Sequence, residues 1–232
     1  MIDTRSLVDK VYEHILTEII NGEIQYGENI NIKQIAEELS ISTMPVREAL
    51  KRLEFEHIVS IKPRSSCSLL KPSRKMIREV YRLREVIELY AATEGEGSKD
   101  PARLKQLDAI VEEMRKLDKE KVSVTAREKR AISLDRDFHS VLCGLADSEF
   151  MSAIHRQLSL HVNMTLIHEK TYHKLEANWA ESHAVIVRAL EKNPSRVPDV
   201  LRKHFEDVLR FFPEDEGDSA PVPGGRASKG VR

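Results

Sequence analysis

Asn31–Leu70 reads NIKQIAEELSISTMPVREALKRLEFEHIVSIKPRSSCSLL, and its punctuation decides the fold. Asn31 can cap a helix, with Gln34 three residues on in the manner of a capping box, and Ile32, Ile35, Ala36 and Leu39 give that helix one apolar side. Ser40-Ile41-Ser42 has room for a turn only, and Ser42 is placed to cap a further helix whose first turn tolerates Pro45. Val46, Ala49, Leu50 and Leu53 form its buried side. Ile58 to Ile61 and Cys67 to Leu70 then read as two short strands around Lys62-Pro63-Arg64-Ser65-Ser66, a hairpin with a basic, small-residue tip. Upstream, Leu7, Val11, Ile15 and Ile19 step by four and stop at Asn21-Gly22, which supplies a first helix. Helices joined by a tight turn and followed by a basic hairpin make a winged helix-turn-helix, in which the third helix of the head enters the major groove of DNA.

The chemistry of that helix agrees with the geometry. Thr43, Met44, Arg47 and Lys51 lie opposite Val46, Leu50 and Leu53. Arg47 is the leading candidate for DNA contact, because a guanidinium can bond a guanine edge through two hydrogens or clamp a phosphate. From Ser42 to Lys71 the cations Arg47, Lys51, Arg52, Lys62, Arg64 and Lys71 outnumber Glu48, Glu54 and Glu56. The whole chain carries a net charge of −1, so any electrostatic footprint for nucleic acid is local. A single amphipathic helix can carry Arg and Lys on its solvated side by chance; turn, cap and hairpin together argue against that.

Length and composition bound the rest. At 232 residues, with 41% hydrophobic and 32% charged residues, the chain has the make-up of a globular protein with room for two domains. Cys67 and Cys143 fall in different expected domains without metal-type spacing, so neither a disulfide framework nor a cysteine zinc site is indicated, and a reduced cytoplasmic setting fits. No apolar run is long enough for export or membrane insertion. Beyond Lys71-Pro72 every strong pattern is helical, with expected helices over 73–97, 101–119, 124–146, 149–170, 174–192 and 198–212. The fold class is therefore mainly α, with a winged helix-turn-helix over 1–72, an all-helical bundle over 73–212, and a tail over 213–232 whose Gly, Pro, Ser, Asp and Glu cannot sustain a core.

The bundle buries unusual groups. Asp135 and His139, four residues apart, share a helix face with Phe138 and Leu142. His183 interrupts the stripe Leu175, Trp179, Ile186 and Leu190, and His204 sits between Leu201 and Val208. One histidine on an apolar face is usually a satisfied core residue; three with a carboxylate cost free energy to bury unless they share a partner, for which a divalent cation is the economical choice. Arg84 lies amid Ile77, Val80, Ile87 and Ala91 and needs an anion: an internal acid such as Glu88, or the carboxylate of a ligand.

Ser42-Thr43-Met44-Pro45-Val46-Arg47-Glu48-Ala49-Leu50-Lys51-Arg52-Leu53-Glu54, with Ile35-Ala36-Glu37-Glu38-Leu39 before it, resembles the recognition motif of GntR-family regulators. Tyr81 to Glu88, Asp135-x-x-Phe138-His139, Glu181-x-His183 and His204 resemble the FCD effector domain of the FadR subfamily. The first resemblance implies that Lys33, Ser42, Thr43, Met44 and Arg47 occupy DNA-contacting positions, with Arg64, Ser65 and Ser66 in the wing. The second implies that Asp135, His139, His183 and His204 bind one divalent ion, zinc or nickel, completed by an organic acid. The sequence departs from the family at Thr43, where a basic residue is usual, at His57 and Ser66, where glycines are usual, and at Asp147-Ser148, where Gly-Asn is usual.

The expected function is thus a homodimeric repressor of transcription, reading double-stranded operator DNA and controlled by a small carboxylate effector at a metal site. Two other readings stay open on the residues: a metal-dependent hydrolase-like enzyme, since an Asp-His-His-His site can activate water, and a metal-free regulator with merely hydrogen-bonded histidines.

Overall fold

The computed structural model describes residues 6–62, 66–95, 100–169 and 179–213. The head comprises α1 (Leu7–Ile20), α2 (Ile32–Glu38), α3 (Thr43–Phe55) and an antiparallel hairpin of β1 (Val59–Lys62) and β2 (Ser66–Leu69). Val59 pairs with Leu69 and Lys62 with Ser66, the register of a short wing. Asn31 caps α2 through bonds from the Lys33 and Gln34 amides. The expected capping box does not close, because the Gln34 amide group turns to Glu38 Oε1 at 2.8 Å. Ser42 stands at the start of α3 with extended backbone, yet its hydroxyl makes no capping bond.

Both helices of the motif stop in the same way. The Ile41 amide donates to the Ala36 carbonyl and the Ile58 amide to the Leu53 carbonyl, each at 2.9 Å, after a residue in the left-handed region, Ser40 (φ 53°) and His57 (φ 58°). These are Schellman closures without the usual glycine. They fold the chain back sharply enough for α3 to lie across α1 and α2, burying Val46, Ala49, Leu50 and Leu53 against Val11, Ile15, Ile19 and Ile35.

The second unit contains α4 (Arg74–Glu94), α5 (Pro101–Lys119), α6 (Val124–Gly144), α7 (Glu149–Glu169), α8 (Trp179–Lys192), a 3-10 turn at Pro194–Arg196 and α9 (Val197–Leu209). These follow the expected helices closely; positions 174–178 and 214–232, part of one expected helix and nearly all of the expected tail, lie outside the described residues. α4 packs on α6, α7 and α9, and α5 on α6 and α8, around a core that includes Leu107, Met114, Phe138, Leu142, Ile186, Leu201 and Phe205. The faces of α4, α6, α8 and α9 that meet there bring the polar groups of the sequence patterns into one place.

Candidate functional site

On the head, α3 presents the expected side outward. Lys33, Ser42, Met44, Arg47 and Lys51 are exposed and Thr43 is half-buried. Met44, at 63% exposure, is open to contact with a thymine methyl. Nothing among the described residues bonds to Arg47, whereas the acids of the segment are engaged. Glu48 pairs with Lys51 at 2.8 Å, Glu54 accepts from the Ile61 amide at 2.9 Å, and Glu56 accepts from the Tyr12 hydroxyl at 2.6 Å. Arg47 is therefore a cation whose field is not cancelled nearby. Ser66 opens β2, while Arg64 and Ser65 lie outside the described residues.

In the bundle, Asp135, His139, His183 and His204 converge. One ring nitrogen from each histidine lies within 4.8 Å of the others. Asp135 Oδ1 stands 3.3 Å from His183 Nε2 and 3.8 Å from His139 Nε2. The opposite ring nitrogens are all occupied. His139 Nδ1 bonds Glu88 Oε2 at 2.6 Å, His183 Nδ1 donates to the Trp179 carbonyl at 2.9 Å, and His204 Nδ1 reaches Ser182 Oγ at 3.4 Å. Such outer partners fix each ring's orientation and tautomer and leave Nε2 as a ligand. His183 Nε2 is fully buried and faces the Asp135 carboxylate, so a cation placed among these nitrogens would share that oxygen.

Arg84, 2% exposed, takes the internal acid of its two alternatives and keeps one donor unpaired. Its Nε pairs with Glu88 Oε1 at 3.2 Å, but Nη2 is buried with no partner. A cavity of about 400 Å³ opens beside it, lined among others by Tyr81, Asp135, His139, Trp179, His204 and Phe205. That volume suits a small organic anion. Burial dominates at His204 and, together with the neighbouring histidines, holds it neutral, well below the ordinary histidine range. Burial also lowers His139. At Glu88 and Asp135 burial works the other way, but His139 and Arg84 at Glu88, and His139, His183 and Arg84 at Asp135, outweigh it and keep both carboxyls below their usual range. Neutral His139 and His204 beside ionised carboxylates are protonation states that suit a divalent ion. The thiols take no part: burial pushes Cys67 up to about 11 and Cys143 up to about 12.

Sequence reasoning missed His155 and the full reach of Glu88. His155 Nε2 bonds Glu88 Oε1 at 2.9 Å, so Glu88 binds Arg84, His139 and His155 at once. Glu88 was legible only as an ion-pair partner for Arg84, through its four-residue spacing; His155 carries no local signal, since its partner is 67 positions away.

Comparison with known proteins agrees with this architecture. Residues 7–69 match the family described as bacterial regulatory proteins, gntR family, and residues 79–207 match the FCD domain. The chain is similar to the HTH-type transcriptional regulator YdhC of Bacillus subtilis, 24% identical over 84% of this chain and 85% of the relative. It is 25% identical to the gluconate operon transcriptional repressor of the same organism, over 82% of this chain and 78% of the relative. Among solved structures, a GntR regulator from Rhodococcus sp. RHA1 superposes with a TM-score of 0.75 at 20% identity, covering 89% of this chain and 97% of that one. Escherichia coli McbR/YncC gives 0.72 at 20%, covering 90% and 98%.

Proposed function

This chain belongs to the GntR family of transcriptional regulators with an FCD domain, and from that premise we propose that it is a repressor whose hold on operator DNA is set by a small carboxylate bound at a metal site in the bundle. Its relatives regulate transcription and are not enzymes, so the hydrolase reading falls away. The observation that carries the proposal is the convergence of His139, His183 and His204 with Asp135 next to a cavity that Arg84 lines, its Nη2 buried and unpartnered: the first set suits a cation and the second an anion.

Asp135, His139, His183 and His204 would hold the metal, whose ligand types suit zinc or nickel. When bound, the ion supplies a Lewis-acid seat for a carboxylate oxygen. Arg84 orients the acid from the side, its own geometry fixed by Glu88, and Trp179 and Phe205 keep the pocket apolar around it.

At the other end, the outward side of α3 supports major-groove contact by Thr43, Met44, Arg47 and Lys51, with Lys33 and Ser42 at the backbone and Arg64, Ser65 and Ser66 in the wing. One head reads few bases, so a homodimer on a palindromic site is the working assembly. The name of the gluconate operon repressor supports the repressing sign.

The test is a titration of full-length protein against a DNA fragment from upstream of its own gene, with and without zinc and a panel of small acids. Regulation by this site requires that one acid shift the DNA affinity in the zinc-loaded protein and not in His183→Ala. An acid response that survives in His183→Ala would overturn the metal reading.

A further inference from the structure

Among the described residues, α7 alone contributes buried apolar side chains to both cores. Leu160 and Met164 belong to the core of the head, and Val162 and Leu166 to that of the bundle. At about 100° per residue, His155, Val162 and Leu166 share one side of α7, while Leu160, His161, Met164 and His168 share the other.

Each side also carries polar contacts. On the head side, His161 Nε2 donates to the Glu56 carbonyl at 2.9 Å, and Glu56 closes α3. His168 Nε2 donates to the Ile19 carbonyl at 3.1 Å in the last turn of α1, and its ring stacks on Tyr26 with centroids 4.4 Å apart. Both acceptors lie at helix C-termini, the negative ends of the peptide dipoles, where an N–H donor is most favoured. Burial keeps both rings on the neutral side of the ordinary histidine range, so each nitrogen facing a carbonyl bears the single N–H. On the bundle side, His155 ties α7 to Glu88, whose two oxygens also hold Arg84 and His139.

The recognition helix and the candidate pocket are thus joined through one rigid helix, by hydrogen bonds with fixed directions rather than by apolar contact alone. We propose that α7 transmits the state of the pocket to the head, and that His161 and His168 are positioning residues that hold α3 and α1 in register with it. A cation on His139 or an anion on Arg84 changes how strongly each pulls on Glu88, hence where Glu88 holds His155. The two clamps carry that shift to Glu56 and Ile19. The inference rests on the effector-responsive reading above; apolar packing of Leu160 and Met164 alone would leave the head free to slide, whereas the clamps allow one register.

The experiment uses full-length wild type, His161→Ala, His168→Ala, the double alanine variant and His161→Gln, whose amide can still donate to Glu56. For each, zinc affinity is measured by competition, the affinity for the upstream DNA with and without zinc by anisotropy, and backbone hydrogen exchange by mass spectrometry. Zinc is expected to change wild-type DNA affinity about fivefold or more, the lower range of allosteric couplings. The double variant should reduce that ratio to within about twofold of one while keeping its zinc affinity, and His161→Gln should keep most of the coupling. A double variant that retains the wild-type ratio overturns the proposal. A wild-type ratio of one would mean that metal occupancy alone does not move the head, leaving the acid response to be judged by the titration above, and the clamp would then be decided by exchange. Faster exchange at the ends of α1 and α3, with α5 and α8 unchanged, upholds it; unchanged exchange ends it. Should the alanine variants fail to fold, the His161→Gln, His168→Gln pair must preserve the ratio and His161→Leu must not, or the clamp is wrong.

Discussion

His57 holds a left-handed backbone at φ 58° where relatives of this kind usually carry glycine, as does Asp147 at φ 51°. A side chain in that region costs about 1–2 kcal/mol relative to the right-handed form. The two sites differ in compensation. Asp147 Oδ1 pairs with Arg103 at 2.6 Å, while the His57 side chain has no bonded partner among the described residues. His57→Gly is therefore expected to stabilise the chain by about 0.5–1 kcal/mol in chemical denaturation, and Asp147→Gly to do little. Loss of stability in His57→Gly would contradict this account of the α3 terminus. At the proposed metal ligands the expectation concerns stoichiometry: His183→Ala should lower bound zinc from about one ion per chain to none, read by elemental analysis. Asp135, His139, His183 and His204 were legible because each interrupts an apolar stripe at helical spacing. His155, His161 and His168 were not, because their partners are a carboxylate or carbonyls far away in sequence, and no local pattern encodes a bond to a backbone oxygen.

Elements were the most legible level, since among the described residues each strong apolar period lies in a helix and the ends that can be compared moved by a few residues only. The shifts have local causes. α4 stops at Glu94 rather than 97, where Gly95 lies so close to the Ala91 and Leu145 carbonyls that a Cβ would meet both. Gly95→Ala must push backbone apart, and should destabilise the bundle by about 1–3 kcal/mol in thermal melts. A neutral result would mean that the approach of α4 to the end of α6 is looser than described. The buried polar cluster between α4, α6, α8 and α9 makes the metal-free bundle sensitive to acid. His139 and His204 lie below the ordinary value of 6.5, so the unfolded chain takes up protons that the folded one refuses. Their contribution is complete above that value and is lost as pH falls below it; the lowered carboxyls of Asp135 and Glu88 add a further loss as pH falls below their ordinary values of 3.8 and 4.5. Melting of the metal-free protein at about pH 5.5 should fall below that at about pH 7.5, and an unchanged or higher value would contradict neutral burial of these histidines.

At the scale of the whole molecule, the head and the bundle share one helix, α7, and that sharing is written in no local stretch of sequence. What the sequence did carry was the division of labour: a local basic face on a chain of net charge −1, and a bundle with charges where core belongs. The central claim is that this chain grips DNA through α3, and the most direct measurement is the affinity of the full-length protein for the DNA upstream of its own gene across a salt series, in wild type and Arg47→Ala. Affinity is expected to fall steeply with salt and to favour that fragment over unrelated DNA, with an Arg47→Ala loss of about 1–3 kcal/mol on the specific site. A complex that Arg47→Ala leaves untouched, or one indifferent to sequence, would contradict it.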